Sequence, residues 1–122
     1  MIFGIGTDLI EIERVEKACA KDAFLKRTYT ECECRQAKGK ASMLAGNFAV
    51  KEAVAKSFGT GFRRFMPIDI EVLRDEAGKP YVNLYRGAKE LAEESGIVRI
   101  HVSISNTQMH AVAFAVAERE DV

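Results

Sequence analysis

Residues 41–58 contain no proline, are rich in alanine, and carry Leu44, Phe48, Val54, Ala55 and Phe58 as a wide apolar surface that stops at Gly59. Alanine and leucine are strong helix formers, and a glycine just beyond the last apolar position commonly terminates a helix. The stretch is therefore predicted to be one long helix. In a chain of 122 residues it has to be the central element, with the rest of the fold packed around it.

The flanking segments alternate between extended and helical patterns. Residues 2 to 8 read as a strand. From Glu11 the apolar residues Ile12, Val15 and Ala18 recur at helical spacing, and Phe24 and Leu25 extend that region, giving a first amphipathic helix. Thr30 followed three residues later by Glu33 has the form of a capping box, predicting a short second helix that breaks at Gly39-Lys40. After Pro67, Ile68, Ile70 and Val72 alternate with Asp69, Glu71 and Leu73. Turn chemistry over Asp75 to Pro80 then leads into Tyr81 to Leu84, predicting a hairpin. A helix is expected over 86–95, stopped by Gly96, and paired strands over 98–105 and 110–117, joined through Asn106-Thr107-Gln108. The predicted class is α+β: one small domain over 1–122, its antiparallel sheet packed around the long helix.

Composition narrows the function classes. Eighteen basic and eighteen acidic side chains leave a formal net charge of zero, so the bulk balance predicts neither nucleic acid nor an anionic membrane as partner. Any charged partner must meet a local patch. The apolar runs fall far short of the roughly 20 residues a membrane-spanning helix needs. Cys19, Cys32 and Cys34 cannot all pair within one chain, and a signal segment is not recognisable, so a reducing cytoplasm is the expected setting. Cys32 and Cys34 supply half a zinc site at most, with His101 and His110 far along the chain.

The chemistry-bearing residues lie at the end of the first strand and along the central helix. Asp8 and Glu52 offer hard oxygen ligands for Mg²⁺, Lys56 stands one turn beyond Glu52, and Gly59-Thr60-Gly61 allows close backbone approach to a pyrophosphate. Each feature has a plainer reading when taken alone. Asp8 suits a turn or helix cap, and Asn47, Lys51, Glu52 and Lys56 suit a solvated helix face. Gly-Thr-Gly suits a helix terminus, Arg14 a solvated charge, and His101 and His110 structural positions in strands.

Read together, Gly4 to Ile12, Leu44 to Lys56 with Phe58 to Gly61, Gly78-Lys79-Pro80-Tyr81 and Val102 to Ser105 give four ordered motifs over nearly the whole chain. The sequence resembles the small bacterial 4′-phosphopantetheinyl transferases of the holo-acyl-carrier-protein synthase type. That resemblance implies transfer of the phosphopantetheine arm of coenzyme A to a serine of apo acyl carrier protein in fatty acid biosynthesis. Adenosine 3′,5′-bisphosphate would be released, and Mg²⁺ would sit on the pyrophosphate. It assigns Asp8 and Glu52 to the metal and Lys56 to the phosphates. Gly59, Thr60 and Gly61 would approach coenzyme A, while Pro80, the Ser103 to Ser105 strand and Asn106 would line its adenylate side. Arg14, Phe24 and Leu25 would meet the acidic carrier protein, and the assembly would be a homotrimer with sites between subunits.

The serine's base is either Glu52 or a metal-bound water. Asn47 and Asn106 depart from the common family pattern, which has a basic residue and a histidine there. The expected loss falls on coenzyme A affinity, with Lys38 or Lys40 available to compensate. A binding module that has lost turnover is the alternative reading, and an oligomerisation domain would leave the motif spacing unexplained.

Overall fold

A computed structural model describes residues 1–121. In chain order it runs β1 (Ile2–Glu11), α1 (Ile12–Cys19), α2 (Asp22–Thr28), α3 (Glu31–Ala37) and α4 (Ala41–Ser57), then a 3₁₀ turn (Pro67–Asp69). There follow β2 (Ile70–Arg74), β3 (Pro80–Leu84), α5 (Arg86–Glu94), β4 (Ile97–Asn106) and β5 (His110–Arg119). All pairing is antiparallel: one sheet has the order β1-β5-β4, and β2 and β3 form the hairpin as a second sheet. The α+β class predicted from the sequence is the one observed.

The alanine-rich stretch is α4, and its apolar residues Val50, Ala53 and Val54 are fully buried against both sheets. Close approach is made possible by small residues on the facing strands. Ala111, Ala113, Ala115 and Ala117 alternate along β5 and are all buried. On β1 a Cβ at Gly4 or Gly6 would overlap the carbonyl oxygens of Ser57 and Ala53, so only glycine lets the strand lie directly on the helix. Side chains on a strand alternate, so Asp8, two residues beyond Gly6, falls on this same helix-facing side.

The opposite face of the sheet is open and apolar. Ile5 and Leu9 on β1 are 69% and 67% exposed, and Phe114 on β5 is 57% exposed. In register, Ile5 pairs with Val116, Thr7 with Phe114 and Leu9 with Val112, so these side chains form one continuous surface.

Several local expectations differ from what forms. The single first helix divides into α1 and α2, with Lys21 in an extended conformation between them. The break turns Phe24 onto Phe48 and Tyr29, at ring-centroid distances of 5.9 and 6.3 Å. β1 continues to Glu11 because its ladder with β5 runs to the Glu11–His110 pair. The alternation from Ile68 does not form strand until Ile70: Pro67 opens the 3₁₀ turn and the Asp69 carboxylate accepts from the Met66 N–H at 3.1 Å. The capping box is present as predicted, Thr30 accepting from the Glu33 N–H and Glu33 from that of Thr30.

The largest correction concerns the polar stripe of α4. Asn47 and Lys51 are fully buried, so the stripe is not a solvated face. Lys51 donates to Glu33 Oε1 at 2.8 Å, to the Pro67 carbonyl at 3.1 Å and to the Ile70 carbonyl at 2.5 Å, matching its three N–H groups to three acceptors. Burial pulls the lysine's pKa down while Glu33 opposes that shift. The contacts tie α4 to α3 and to the entry of β2.

Candidate active site

Asp8 stands near the end of β1 with its side chain 16% exposed, and Lys56, on the last turn of α4, reaches across to it. The Lys56 ammonium donates to the Thr7 carbonyl at 3.0 Å and to Asp8 Oδ1 at 3.2 Å. Glu52, one helical turn before Lys56, is half-buried beside them. Burial pushes its carboxyl pKa up, the Asp8 charge pushes it further, and Lys56 only partly offsets both. The Asp8 charge makes Glu52 costlier to ionise, and a carboxylate pair of this kind forms a site that favours a cation. Among the described residues no cluster of three or more His, Cys, Asp or Glu side chains is placed to hold a metal. A pair of carboxylates fits Mg²⁺, which keeps several of its waters and takes few protein ligands.

These three residues line one cleft of about 610 Å³, together with Arg14, Phe24 and Phe48. One wall is charged and the other aromatic, and Arg14 lies exposed at the rim. Glu11 and His110 also line this cleft. His110 reaches it through the Glu11–His110 pairing of β1 with β5, a long-range register that local sequence patterns do not reveal.

The remaining expected site residues are not gathered here. Gly59 ends α4 with a φ of 80° and Gly61 has a φ of 63°, a left-handed conformation that favours glycine. With Thr60 they form a helix terminus and turn, held by the Gly61 N–H donating to the Ala55 carbonyl at 3.3 Å. Pro80 and Asn106 line a second cleft of about 280 Å³ at the start of α4, with Lys40 and Arg74. Ser105 is exposed and pairs with Val112, which puts it on the outer apolar face and away from that cleft. Leu25 separates from Phe24 and lines a different cavity with Cys19 and Cys34. Asn47 is inside the protein, donating to the Val72 carbonyl at 3.4 Å.

The fold and the paired carboxylates define a class, and comparison with known proteins supplies it: residues 4–115 match the model of the 4′-phosphopantetheinyl transferase superfamily, to which this chain belongs. Within it, the chain is 57% identical over 118 residues to the holo-[acyl-carrier-protein] synthase of Lachnoclostridium phytofermentans, covering 97% of each chain. Two solved structures agree. An acyl carrier protein synthase of Plasmodium yoelii with ADP bound superposes with a TM-score of 0.89 at 34% identity, covering 99% of this chain and 98% of that one. A holo-(acyl-carrier-protein) synthase of Bacillus anthracis in complex with CoA (3′,5′-ADP) gives 0.81 at 38% identity, covering 98% and 99%. Among the described residues no helix is long and apolar enough to cross a membrane.

Proposed function

We propose that the protein transfers the 4′-phosphopantetheine group of coenzyme A to a serine of apo acyl carrier protein in a Mg²⁺-dependent reaction. The observation that carries this reading is the meeting of Asp8, Glu52 and Lys56 in one cleft of a chain that belongs to the 4′-phosphopantetheinyl transferase superfamily. The serine Oγ forms a bond to the pantetheine-side phosphorus of the pyrophosphate as the bond from that phosphorus to the bridging oxygen breaks. The electron pair leaves with adenosine 3′,5′-bisphosphate, and the serine proton departs toward the carboxylate end of the cleft. Asp8 and Glu52 hold the metal, which when bound supplies positive charge where the leaving oxygen gains electron density. Lys56, anchored by the Thr7 carbonyl and about half exposed, adds a second positive charge beside Asp8. Arg14 at the rim, with Phe24 behind it, suits an acidic helical partner that brings its serine to the mouth.

The working unit in this reading is a homotrimer with sites shared between subunits. The open face carries Ile5, Leu9 and Phe114, all more than half exposed and adjacent in the sheet, and a contiguous apolar surface of this kind supports burial against another copy. The two clefts also lie at opposite ends of α4. Ser42 in one and Glu52 in the other are ten residues apart along a helix rising about 1.5 Å per residue, or roughly 15 Å. The ribose 3′-phosphate and the pyrophosphate of coenzyme A are separated by one sugar, well under that span. In this reading one nucleotide engages the carboxylate cleft of one subunit and the basic cleft of its neighbour.

Intact-mass spectrometry of apo acyl carrier protein incubated with this protein, coenzyme A and Mg²⁺ tests the reading directly. The expected result is a gain of one phosphopantetheine that vanishes with chelator and with Asp8→Asn. Binding of coenzyme A without any gain in mass would replace the transferase with a binding module.

A further inference from the structure

Arg74 ends β2 with its backbone clamped from both sides. Its N–H donates to Gln36 Oε1 at 2.9 Å, and Gln36 Nε2 donates to its carbonyl at 3.0 Å. From that fixed root the guanidinium passes over Gly46, where a Cβ would already lie 3.4 Å from Nη2, and Nη2 donates to Asn47 Oδ1 at 3.0 Å. Asn47 is itself fully buried, so its oxygen is a rigid acceptor that fixes the plane of the guanidinium. No carboxylate pairs with Arg74 among the described residues, and its buried Nε has no hydrogen-bond partner. The nearest acidic side chain in sequence, Asp75, is occupied by the N–H groups of Ala77 and Lys79, both at 2.9 Å. Burial without a counter-charge pulls the arginine's pKa down.

A half-buried guanidinium with no counter-charge is costly unless something arrives to pair with it. Arg74 lines the cleft at the start of α4 with Lys40, Ser42, Pro80 and Asn106, and no carboxylate lines it. Two cations and a hydroxyl around a small, acid-free hollow suit a dianionic phosphate monoester, and a planar fork fixed in orientation recognises such a group better than a free ammonium does. Asn47 lacks charge but is not simply a weakened contact: it aims Arg74.

We propose that Arg74, aimed by Asn47 and Gln36, is the residue through which this chain recognises a phosphate monoester, and that it sets the preference for a 3′-phosphorylated nucleotide donor. This rests on the transferase reading for the identity of the donor but not for the existence of the anion site. Calorimetric titration of the protein with coenzyme A and with 3′-dephospho-coenzyme A, which carries no phosphate monoester, measures the preference without turnover.

The expected result is a preference of about tenfold or more for coenzyme A in the parent protein, the size of one charge-assisted contact. Arg74→Gln should reduce that preference to about threefold or less and leave binding of dephospho-coenzyme A unchanged. Arg74→Lys, which keeps the charge but not the fork, should recover part of the preference, and it serves the same comparison if the glutamine variant does not fold. An unchanged preference in these variants, an equal loss for both nucleotides, or no preference in the parent overturns the assignment. Transfer to carrier protein with the preference unaltered in Arg74→Gln sinks this inference alone. Absence of transfer with the preference present and Arg74-dependent sinks the transferase reading alone.

Discussion

Glu52 is a carboxylate whose environment disfavours its own charge. Burial and the neighbouring Asp8 both raise its pKa, in that order, and Lys56 offsets them only in part. A carboxyl with a raised pKa in the folded protein contributes stability below the ordinary glutamate value, and that contribution is lost as pH rises through the folded-state pKa. Glu52→Gln removes the ionising group and should abolish transfer while raising the melting temperature at pH 8. Its advantage over the parent should shrink toward zero near pH 4. Thermal melts of both proteins across that range, taken without divalent metal, read the effect, and a variant less stable than the parent at pH 8 would contradict it. Arg14 gives a contrasting expectation because it is exposed at the cleft rim. Arg14→Glu should weaken capture of the acidic carrier protein by about tenfold or more, seen as a higher KM for carrier protein with kcat and KM for coenzyme A unchanged.

At the scale of elements, α4 is held in place by a charge inside the core. Lys51 and Glu33 are both fully buried and 2.8 Å apart, joining α4 to α3. Removing one member leaves the other unpaired, so Lys51→Met should lower the unfolding free energy by about 3–5 kcal/mol. Urea titration would show this as a lower midpoint with an unchanged slope, and a loss under about 1 kcal/mol would mean the pair is replaceable. This pair also marks where the sequence stopped being legible. The long helix, the capped short helix and the hairpin were readable because their signals are local: alanine richness, the Thr30–Glu33 box, and turn residues at Asp75 to Pro80. Asp8, Glu52 and Lys56 could be nominated from residue type and family resemblance. The burial of Asn47 and Lys51, the arrival of His110 in the cleft and the parting of Leu25 from Phe24 depend on which elements touch. No spacing rule carries that information, and the polar residues of α4 looked alike on the helical wheel although two of them point into the core.

At the scale of the whole molecule, the outer face of the β1-β5-β4 sheet is the surface most in need of a partner. Light scattering should give a trimeric mass for the parent. Leu9→Glu combined with Phe114→Glu should give a monomer that retains its helical and strand content but loses transfer, because the carboxylate and basic clefts would no longer meet across subunits. A monomer with full activity would show instead that one chain is sufficient. β1 serves this face and the active site at once: Gly4, Gly6 and Asp8 point to α4 while Ile5 and Leu9 point outward. A single-residue insertion or deletion within the strand would exchange the two sets, turning the carboxylate outward and leucine inward. Substitutions can sample this segment one side at a time, but changes of length cannot. Length variation among descendants of this chain should therefore collect in turns such as Asp75 to Lys79 and leave the span from Gly4 to Asp8 untouched.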